Sequence, residues 1–286
     1  VPALLFSGGE PMCCENFFRY LEEANLLGMK VTVSTNGSLI DGAAARLMAP
    51  LVSYVGISID GPREAHDEFR GNPGSFDAAV GAAELLASLG CRVGLRFTLA
   101  RPLIPFLDDI FSLAESLPVS RICFYHFMPA GRGERDAALA PARGETDAAI
   151  WRVMEWADRV CASRPIEILT VGDASDGARL HEYLRRHGAS RLERASSLLR
   201  SAASRTGVSG ILSVRWDGVV FRNQFSWNRP LGNWREIGRI AREKPPLDET
   251  APECAPCHWR ARHICASRAA GFGRECGAFR RKGAGR

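Results

Sequence analysis

Strand-like and helix-like runs alternate along the first 130 residues of the chain. Short runs rich in β-branched and aromatic residues end at glycine or polar residues, and the runs between them repeat apolar positions at helical spacing. The predicted strands are Ala3–Phe6, Lys30–Ser34, Tyr54–Ile59, Arg92–Leu99 and Arg121–Phe127, and the predicted helices are Glu15–Leu27, Ala43–Leu51, Ser75–Leu89 and Pro105–Leu117. Repeated βα units of this length predict an α/β fold with a parallel sheet, either closed as a barrel or open and doubly wound.

The rest of the chain has a weaker pattern. Pro129–Gly144 is typical of a linker, Thr146–Cys161 and Ala178–Ala203 have helical periodicity, and Asp217-Gly218 predicts a hairpin turn between two short strands. The tail after this hairpin is poor in apolar residues, so a metal centre would have to supply much of its stability. We therefore predict three parts: an α/β domain over residues 1–135, a helical connecting segment over 136–205 and a small metal-binding domain over 206–286.

Composition narrows the class of protein. The chain has 286 residues, of which 46% are hydrophobic and 24% are charged, and this balance is typical of a globular protein. Its net charge of +5 is too small to favour a nucleic-acid partner. We find neither a run of about 18 apolar residues, as a membrane span requires, nor a signal-peptide pattern. We therefore expect a cytoplasmic protein without a membrane partner.

Polar residues or glycines lie at the carboxyl ends of the first four predicted strands, with Arg96 and Thr98 on the fourth. Because the carboxyl ends of parallel strands meet at one edge of a sheet, and active sites of βα folds lie at that edge, we expect these residues to form one site. Glycines allow a ligand to approach the backbone closely, and the glutamate offers an acceptor for an amino group. The candidate residues are Gly8, Gly9, Glu10, Pro11, Ser34, Asn36, Ser58, Asp60 and Arg70.

A cluster of cysteines forms a second candidate site. Four of the nine cysteines lie within the last 33 residues, and they are Cys254, Cys257, Cys265 and Cys276. Four thiolates can bind a 4Fe–4S cluster or zinc, and the spacing alone does not distinguish these metals. His258 and His263, which lie among these cysteines, are alternative ligands.

The Gly8-Gly9-Glu10-Pro11 motif and the order of the motifs after it resemble the radical S-adenosylmethionine (SAM) enzymes that carry a C-terminal SPASM or twitch domain. The resemblance implies a partial, TIM-like (β/α)6 barrel that lacks its first βα unit in this chain, followed by a domain with an auxiliary 4Fe–4S cluster on the four cysteines. It also implies that Gly8, Gly9 and Glu10 line the methionyl amino group of SAM. Ser58 and Arg70 would hold its carboxylate, with Ser34, Asn36 and Asp60 nearby.

Three further segments resemble the tetrapyrrole-modifying branch of this family, represented by the heme d1 biosynthesis protein NirJ and by enzymes of the siroheme-dependent heme pathway. The segments are Val93–Leu99, Cys123–His126 with Gly131–Gly133, and Asn223–Phe225 with Leu231–Asn233. This similarity implies an iron tetrapyrrole substrate and an electron donor such as ferredoxin or flavodoxin. Arg96, Arg132, Tyr125 and His126 are candidates for substrate binding, and His126 is also our candidate for a catalytic residue.

The Cys-x3-Cys-x2-Cys motif that holds the SAM-cleaving 4Fe–4S cluster in this family does not occur in the sequence. Cys13 and Cys14 cannot replace it, because they are adjacent and follow the glycine motif. We expect the motif in a segment that precedes Val1, and we expect the chain as given to be unable to generate a 5′-deoxyadenosyl radical.

Two alternative functions remain open at this point. A SPASM-type radical SAM enzyme could modify a peptide instead of a tetrapyrrole. A non-catalytic barrel with a zinc knuckle and a basic tail could bind nucleic acid, and it would have no affinity for SAM.

Overall fold

The computed structural model divides the chain into two compact units, Val1–Gly172 and Asp173–Arg286, which are described separately here. The described residues are 3–128, 137–173, 175–205, 212–221 and 230–243. None of the helices in these ranges has the length and apolar character that crossing a membrane requires.

The first unit alternates strands and helices along its length. Its strands are β1 Ala3–Phe6, β2 Lys30–Thr35, β3 Tyr54–Ser58, β4 Val93–Leu99, β5 Arg121–His126 and β6 Glu167–Val171. Its helices are α1 Phe17–Leu26, α2 Gly42–Met48, α3 Arg63–Arg70, α4 Ser75–Ser88, α5 Leu107–Ser116 and α6 Arg143–Val160. This βα alternation confirms the predicted α/β fold class.

The six strands form one parallel sheet in which the spatial order β1-β2-β3-β4-β5-β6 is also the chain order. Since crossovers between parallel strands are right-handed, a sheet that never reverses its order receives its connecting helices on a single face. The opposite face stays clear of them, as in the interior of a TIM-like barrel. All six carboxyl ends lie at the same edge of this sheet.

The face of the sheet beneath the helices forms the core of the unit. Alternate residues of neighbouring strands share this face by register, and they are almost entirely apolar. The members with no measurable exposure include Val33, Val55, Ile57, Leu95, Phe97, Leu99, Ile122 and Phe124. Burial of these side chains on one face fixes the register of the strands, and it therefore determines which residues occupy the opposite face.

The opposite face carries polar and aromatic residues together with two glycines of neighbouring strands. The register aligns Gly56 with Gly94, and a Cβ atom added at Gly94 would lie 2.3 Å from the hydroxyl oxygen of Tyr54. Only glycine therefore fits beneath the Tyr54 ring. The Arg121 guanidinium stacks on the same ring at 4.5 Å and pairs with Glu167 at 2.6 Å, so these residues close the amino-terminal end of this face.

Two elements of the first unit, β6 and α3, were not predicted from the sequence. Residues 137–172, expected within a helical connecting segment, supply both α6 and the last strand, β6. β6 pairs with β5 from Arg121↔Glu167 to Tyr125↔Val171. The structure also contains α3, which we did not predict because only a few of its eight residues are apolar.

The second unit contains three helices and a small antiparallel sheet in its described part. The elements are α7 Asp176–His187, α8 Ala189–Arg205, β7 Ser213–Val214, β8 Val219–Phe221, β9 Gly232–Asn233 and α9 Ile237–Glu243. β7 and β8 pair around Asp217-Gly218, and Gly218 has a φ of +83°, which confirms the predicted hairpin. The four clustered cysteines, Cys254 to Cys276, lie outside the described residues.

Candidate functional site

Glu10 connects the carboxyl ends of β1 and β2. Its Oε1 atom accepts hydrogen bonds from the Met12 backbone N–H (3.2 Å) and the Thr35 hydroxyl (2.8 Å), and its Oε2 atom accepts one from the Asn36 backbone N–H (2.8 Å). A carboxylate offers about four acceptor positions, so most of this capacity is used within the protein. The Glu10 side chain therefore fixes the loop after β1 against the loop after β2.

The loop after β1 leaves open space at its two glycines. Gly8 has a φ of +140°, a conformation that side-chain-bearing residues rarely adopt. A Cβ atom added at Gly8 or Gly9 would have no heavy atom within 4 Å beyond the adjacent residues, and both glycines are exposed. Ligand atoms can therefore reach the backbone here.

Asp60 links three elements immediately after β3. Its side chain is completely buried. Its Oδ1 atom accepts a hydrogen bond from the Thr98 backbone N–H of β4 (2.8 Å), and its Oδ2 atom forms an ion pair with Arg70 on α3. Its backbone N–H donates to Nδ1 of His66, also on α3, at 2.9 Å. Burial lowers the pKa of His66, which keeps the imidazole neutral at pH 7 and Nδ1 able to accept this hydrogen bond.

Ser34 and Ser58 occupy the open face of the sheet near the carboxyl ends of β2 and β3. Both are half-buried, and the register places them in the rows of Gly56 and Arg96, respectively. Asn36 follows β2, and its side-chain oxygen accepts a hydrogen bond from the Ser38 backbone N–H at 2.8 Å. Three adjacent strand ends thus bring Gly8–Glu10, Ser34, Asn36, Ser58 and Asp60 to one edge, while buried Pro11 begins the 3-10 turn behind the loop.

Arg96 and Tyr125 form a second group on the open face. The Arg96 guanidinium carbon lies 4.3 Å from the centre of the Tyr125 ring. Burial raises the pKa of the Tyr125 phenol, and the nearby Arg96 charge opposes this rise only in part. Tyr125 is therefore protonated at neutral pH, and the pair presents a cation beside a neutral hydroxyl group.

His126 is not brought into this group. It ends β5 in register with Leu99, on the face of the sheet that also carries Phe124 and packs against the helices. Its side chain is 9% exposed. The alternation along β5 therefore separates His126 from Tyr125, its neighbour in the sequence.

Several candidate residues lie outside the described residues. They are Arg132 with Gly131 and Gly133, Asn223–Phe225, the ligand candidates Cys254, Cys257, Cys265 and Cys276, and His258 and His263. Cys13 and Cys14 are described and exposed at the 3-10 turn that follows the glycine loop.

Sequence reasoning missed the residues that hold the site together from behind. Thr35 binds Glu10 through its hydroxyl and also accepts a hydrogen bond from the Gly37 backbone N–H at 3.0 Å. His66 and the backbone of Thr98 both bind Asp60. The sequence offers only their positions as a signal. Thr35 and Thr98 lie within two residues of a strand end, and His66 lies four residues before Arg70.

The edge formed by β1, β2 and β3 suits the methionyl part of SAM. An amino acid zwitterion needs acceptors for its ammonium group, donors or a cation for its carboxylate, and a rigid support. The open loop at Gly8 and Gly9 admits such a group, Glu10 and Asp60 make the loops rigid, and Ser34 and Ser58 supply hydroxyl groups. The residues present therefore fit the cofactor.

Comparison with known proteins identifies the family of the chain. Residues 1–110 match the family model of the radical SAM superfamily. The chain is 34% identical over 277 residues to Fe-coproporphyrin III synthase of Methanosarcina barkeri, covering 90% of this chain and 69% of that protein. It is also 34% identical to pre-heme d1 synthase of Dinoroseobacter shibae and 36% identical to AdoMet-dependent heme synthase of Oleidesulfovibrio alaskensis. These two matches cover 62% and 46% of this chain, but only 44% and 34% of those proteins.

The fold is also similar to a solved structure of this type. The structure of anSMEcpe with bound AdoMet and the Kp18Cys peptide superposes with a TM-score of 0.66 at 17% identity, over 92% of this chain and 74% of that one. This likeness supports the fold, and the 34% identity to a relative covered over two thirds of its length establishes the family. The chain belongs to the radical SAM superfamily, whose enzymes use S-adenosylmethionine and a 4Fe–4S cluster.

Proposed function

We propose that this chain belongs to an enzyme that modifies peripheral side chains of an iron tetrapyrrole in heme or heme d1 biosynthesis. The observation that carries the proposal is the 34% identity to Fe-coproporphyrin III synthase over 90% of the chain. The similarity to pre-heme d1 synthase supports the same class of substrate. We also propose that a ferredoxin or flavodoxin supplies electrons to the enzyme.

The edge formed by β1, β2 and β3 is the proposed SAM site. The backbone of Gly8 and Gly9 and the remaining acceptor position of Glu10 would receive the methionyl ammonium group. Ser58 and Arg70 would bind the methionyl carboxylate, although Arg70 already pairs with Asp60. Thr35 and Asp60 act from behind, because their hydrogen bonds fix Glu10 and Arg70 in place.

Bound at this edge beside a 4Fe–4S cluster, SAM would provide radical chemistry for the reaction. The residues of this chain would bind and orient the cofactor at the carboxyl ends of β1, β2 and β3. We further propose that Cys254, Cys257, Cys265 and Cys276 hold an auxiliary 4Fe–4S cluster. Iron and acid-labile sulfide bound to these cysteines would distinguish this assignment from a zinc knuckle.

The replacement of Gly9 by alanine or valine tests the SAM site by filling it. The Cβ atom that both variants add meets no protein atom within 4 Å, so we expect unchanged thermal stability for Gly9→Ala. The added side chains would occupy the space of the ligand, so we expect the dissociation constant of SAM, measured by calorimetry, to rise about tenfold or more, or about 1.4 kcal/mol. Gly8 is unsuitable for this test because its positive φ would strain any side chain.

Gly81→Ala is the matched control for Gly9→Ala. Gly81 lies within α4, where an added Cβ also meets no atom within 4 Å, and alanine favours a helix by about 1 kcal/mol over glycine. This variant should bind SAM as the wild type does. Equal SAM affinity of the Gly9 variants and the wild type would contradict the assignment of the glycine loop.

A titration with iron coproporphyrin III tests the substrate class. We expect the 286-residue chain, reconstituted with iron and sulfide under anaerobic conditions, to shift the Soret band of this tetrapyrrole with a saturable dissociation constant. An enzyme that modifies peptides, our second hypothesis, would leave the band unchanged. Absence of a saturable shift would therefore contradict the proposed function.

A further inference from the structure

Arg96 is a half-buried cation whose charge is not neutralised within the described part of the chain. Two other arginines near the sheet have carboxylate partners, since Arg121 pairs with Glu167 and Arg70 with Asp60. Among the described residues, no carboxylate forms an ion pair with Arg96. Its side chain lies against the ring of Tyr125 and the backbone of Gly56, and its charge also acts on Tyr54 and Cys123.

Gly56 and Tyr125 hold the Arg96 side chain in one position. The aliphatic part of Arg96 passes over Gly56 on the adjacent strand, where an added Cβ would lie 2.8 Å from its Cδ atom. The guanidinium then stacks on Tyr125 at 4.3 Å. Such stacking leaves the edge of the guanidinium, with its N–H donors, available for a ligand.

Arg96 also lies next to the proposed SAM site. The register aligns Ser58, Arg96 and Cys123 across β3, β4 and β5, so that all three side chains share the open face of the sheet. Adjacent strands are about 4.8 Å apart, so Arg96 and Ser58 are direct neighbours. A ligand that occupies this face near the carboxyl ends of the strands would meet both residues.

We propose that Arg96 is a carboxylate-binding residue of this site, positioned by Gly56 and Tyr125. The inference deepens the proposed function and rests on it. An arginine deprived of part of its hydration is stabilised by an oxyanion, and its planar fork matches a carboxylate in a bidentate arrangement. The neutral Tyr125 hydroxyl can donate a further hydrogen bond. Two carboxylates can reach this face, namely an acidic side chain of the tetrapyrrole and the methionyl carboxylate of SAM.

Matched pairs of probes distinguish these two sources. Iron coproporphyrin III and its tetramethyl ester differ in the presence of free carboxylates, and so do SAM and decarboxylated SAM. Each probe is titrated into the 286-residue chain and into the variants Arg96→Gln, Arg96→Lys and Gly56→Ala. Arg92→Gln, with an exposed arginine just before the opposite end of β4, is the control.

We expect Arg96→Gln to weaken binding of one carboxylate-bearing probe about tenfold or more, while its carboxylate-free counterpart is unaffected. Arg96→Lys should give an intermediate loss, because a point charge replaces a stacked fork. Gly56→Ala should reproduce the loss with Arg96 still present, because its methyl group displaces the Arg96 side chain. Arg92→Gln should match the wild type with every probe.

The possible outcomes separate the two proposals. A loss confined to the acid form of the tetrapyrrole assigns Arg96 to the substrate, and a loss confined to SAM assigns it to the cofactor. Equal affinities of Arg96→Gln and the wild type, or equal losses with a probe and its carboxylate-free counterpart, would overturn the assignment of Arg96 alone. Failure of the wild type to bind either tetrapyrrole would overturn the proposed substrate class instead.

Discussion

Replacement of Asp60 by alanine is expected to lower the free energy of unfolding by about 3 kcal/mol. The carboxylate is completely buried, so its removal leaves the Arg70 charge and the Thr98 backbone N–H without their partner. Loss of one member of a buried ion pair costs about 3–5 kcal/mol, and the lower end applies because Arg70 remains 32% exposed. Urea denaturation followed by circular dichroism measures the change.

An exposed ion pair nearby provides the control for Asp60. Asp77 pairs with Arg63, and both side chains are more than half exposed. Asp77→Asn should therefore cost less than about 1 kcal/mol. In the Arg70→Ala background, Asp60→Ala should lower the free energy of unfolding by less than in the wild type, because no Arg70 charge is then left without its partner. If Asp60→Ala and Asp77→Asn lowered the free energy of unfolding equally, burial would not determine the contribution of the Asp60–Arg70 ion pair.

Replacement of Trp156 by alanine is the second change with a large expected effect. Trp156 has no measurable exposure and stacks on Phe111 with ring centres 4.6 Å apart. Its Nε1–H group donates to the Glu115 carboxylate at 2.7 Å. Removal of a buried tryptophan costs about 3–5 kcal/mol, and we expect a loss of this size in urea denaturation.

Two further tryptophan variants separate packing from hydrogen bonding. Trp156→Phe keeps a ring that can stack on Phe111 but loses the N–H donor, so it should cost clearly less than Trp156→Ala. Trp216 is 90% exposed, and Trp216→Ala should leave stability nearly unchanged. If Trp156→Ala were no more destabilising than Trp216→Ala, α6 would not be an integral part of the first unit.

Alternating hydrophobicity was sufficient to predict the five strands from β1 to β5. β1 has the predicted ends, and β2 extends one residue further, to Thr35. β6, Glu167–Val171, escaped prediction, and it joins the sheet by pairing with β5. α3 escaped because it is mostly polar, and its contacts with Asp60 connect it to the end of β3.

The sequence predicted where the candidate site lies, but not the hydrogen bonds within it. Sequence motifs located Glu10 and Asp60 at strand ends, where the structure has them. Their hydrogen bonds reach Asn36 and Thr98, which are 26 and 38 residues away in the sequence. Such pairings depend on which strands become neighbours, so the pattern around each motif does not contain them. The alternation that turns His126 away from Tyr125 depends in the same way on which face the helices cover.

The sequential order of the strands also has a consequence for how the protein is made on the ribosome. Each strand pairs with the one synthesised immediately before it, across separations from 22 residues (Thr32 to Tyr54) to 46 residues (Arg121 to Glu167). The sheet from β1 to β6 can therefore grow at a single edge during translation, without waiting for a distant segment. The loops that form the proposed SAM site follow β1, β2 and β3. The proposed SAM site can therefore assemble before β5, the strand that carries Tyr125, has left the ribosome.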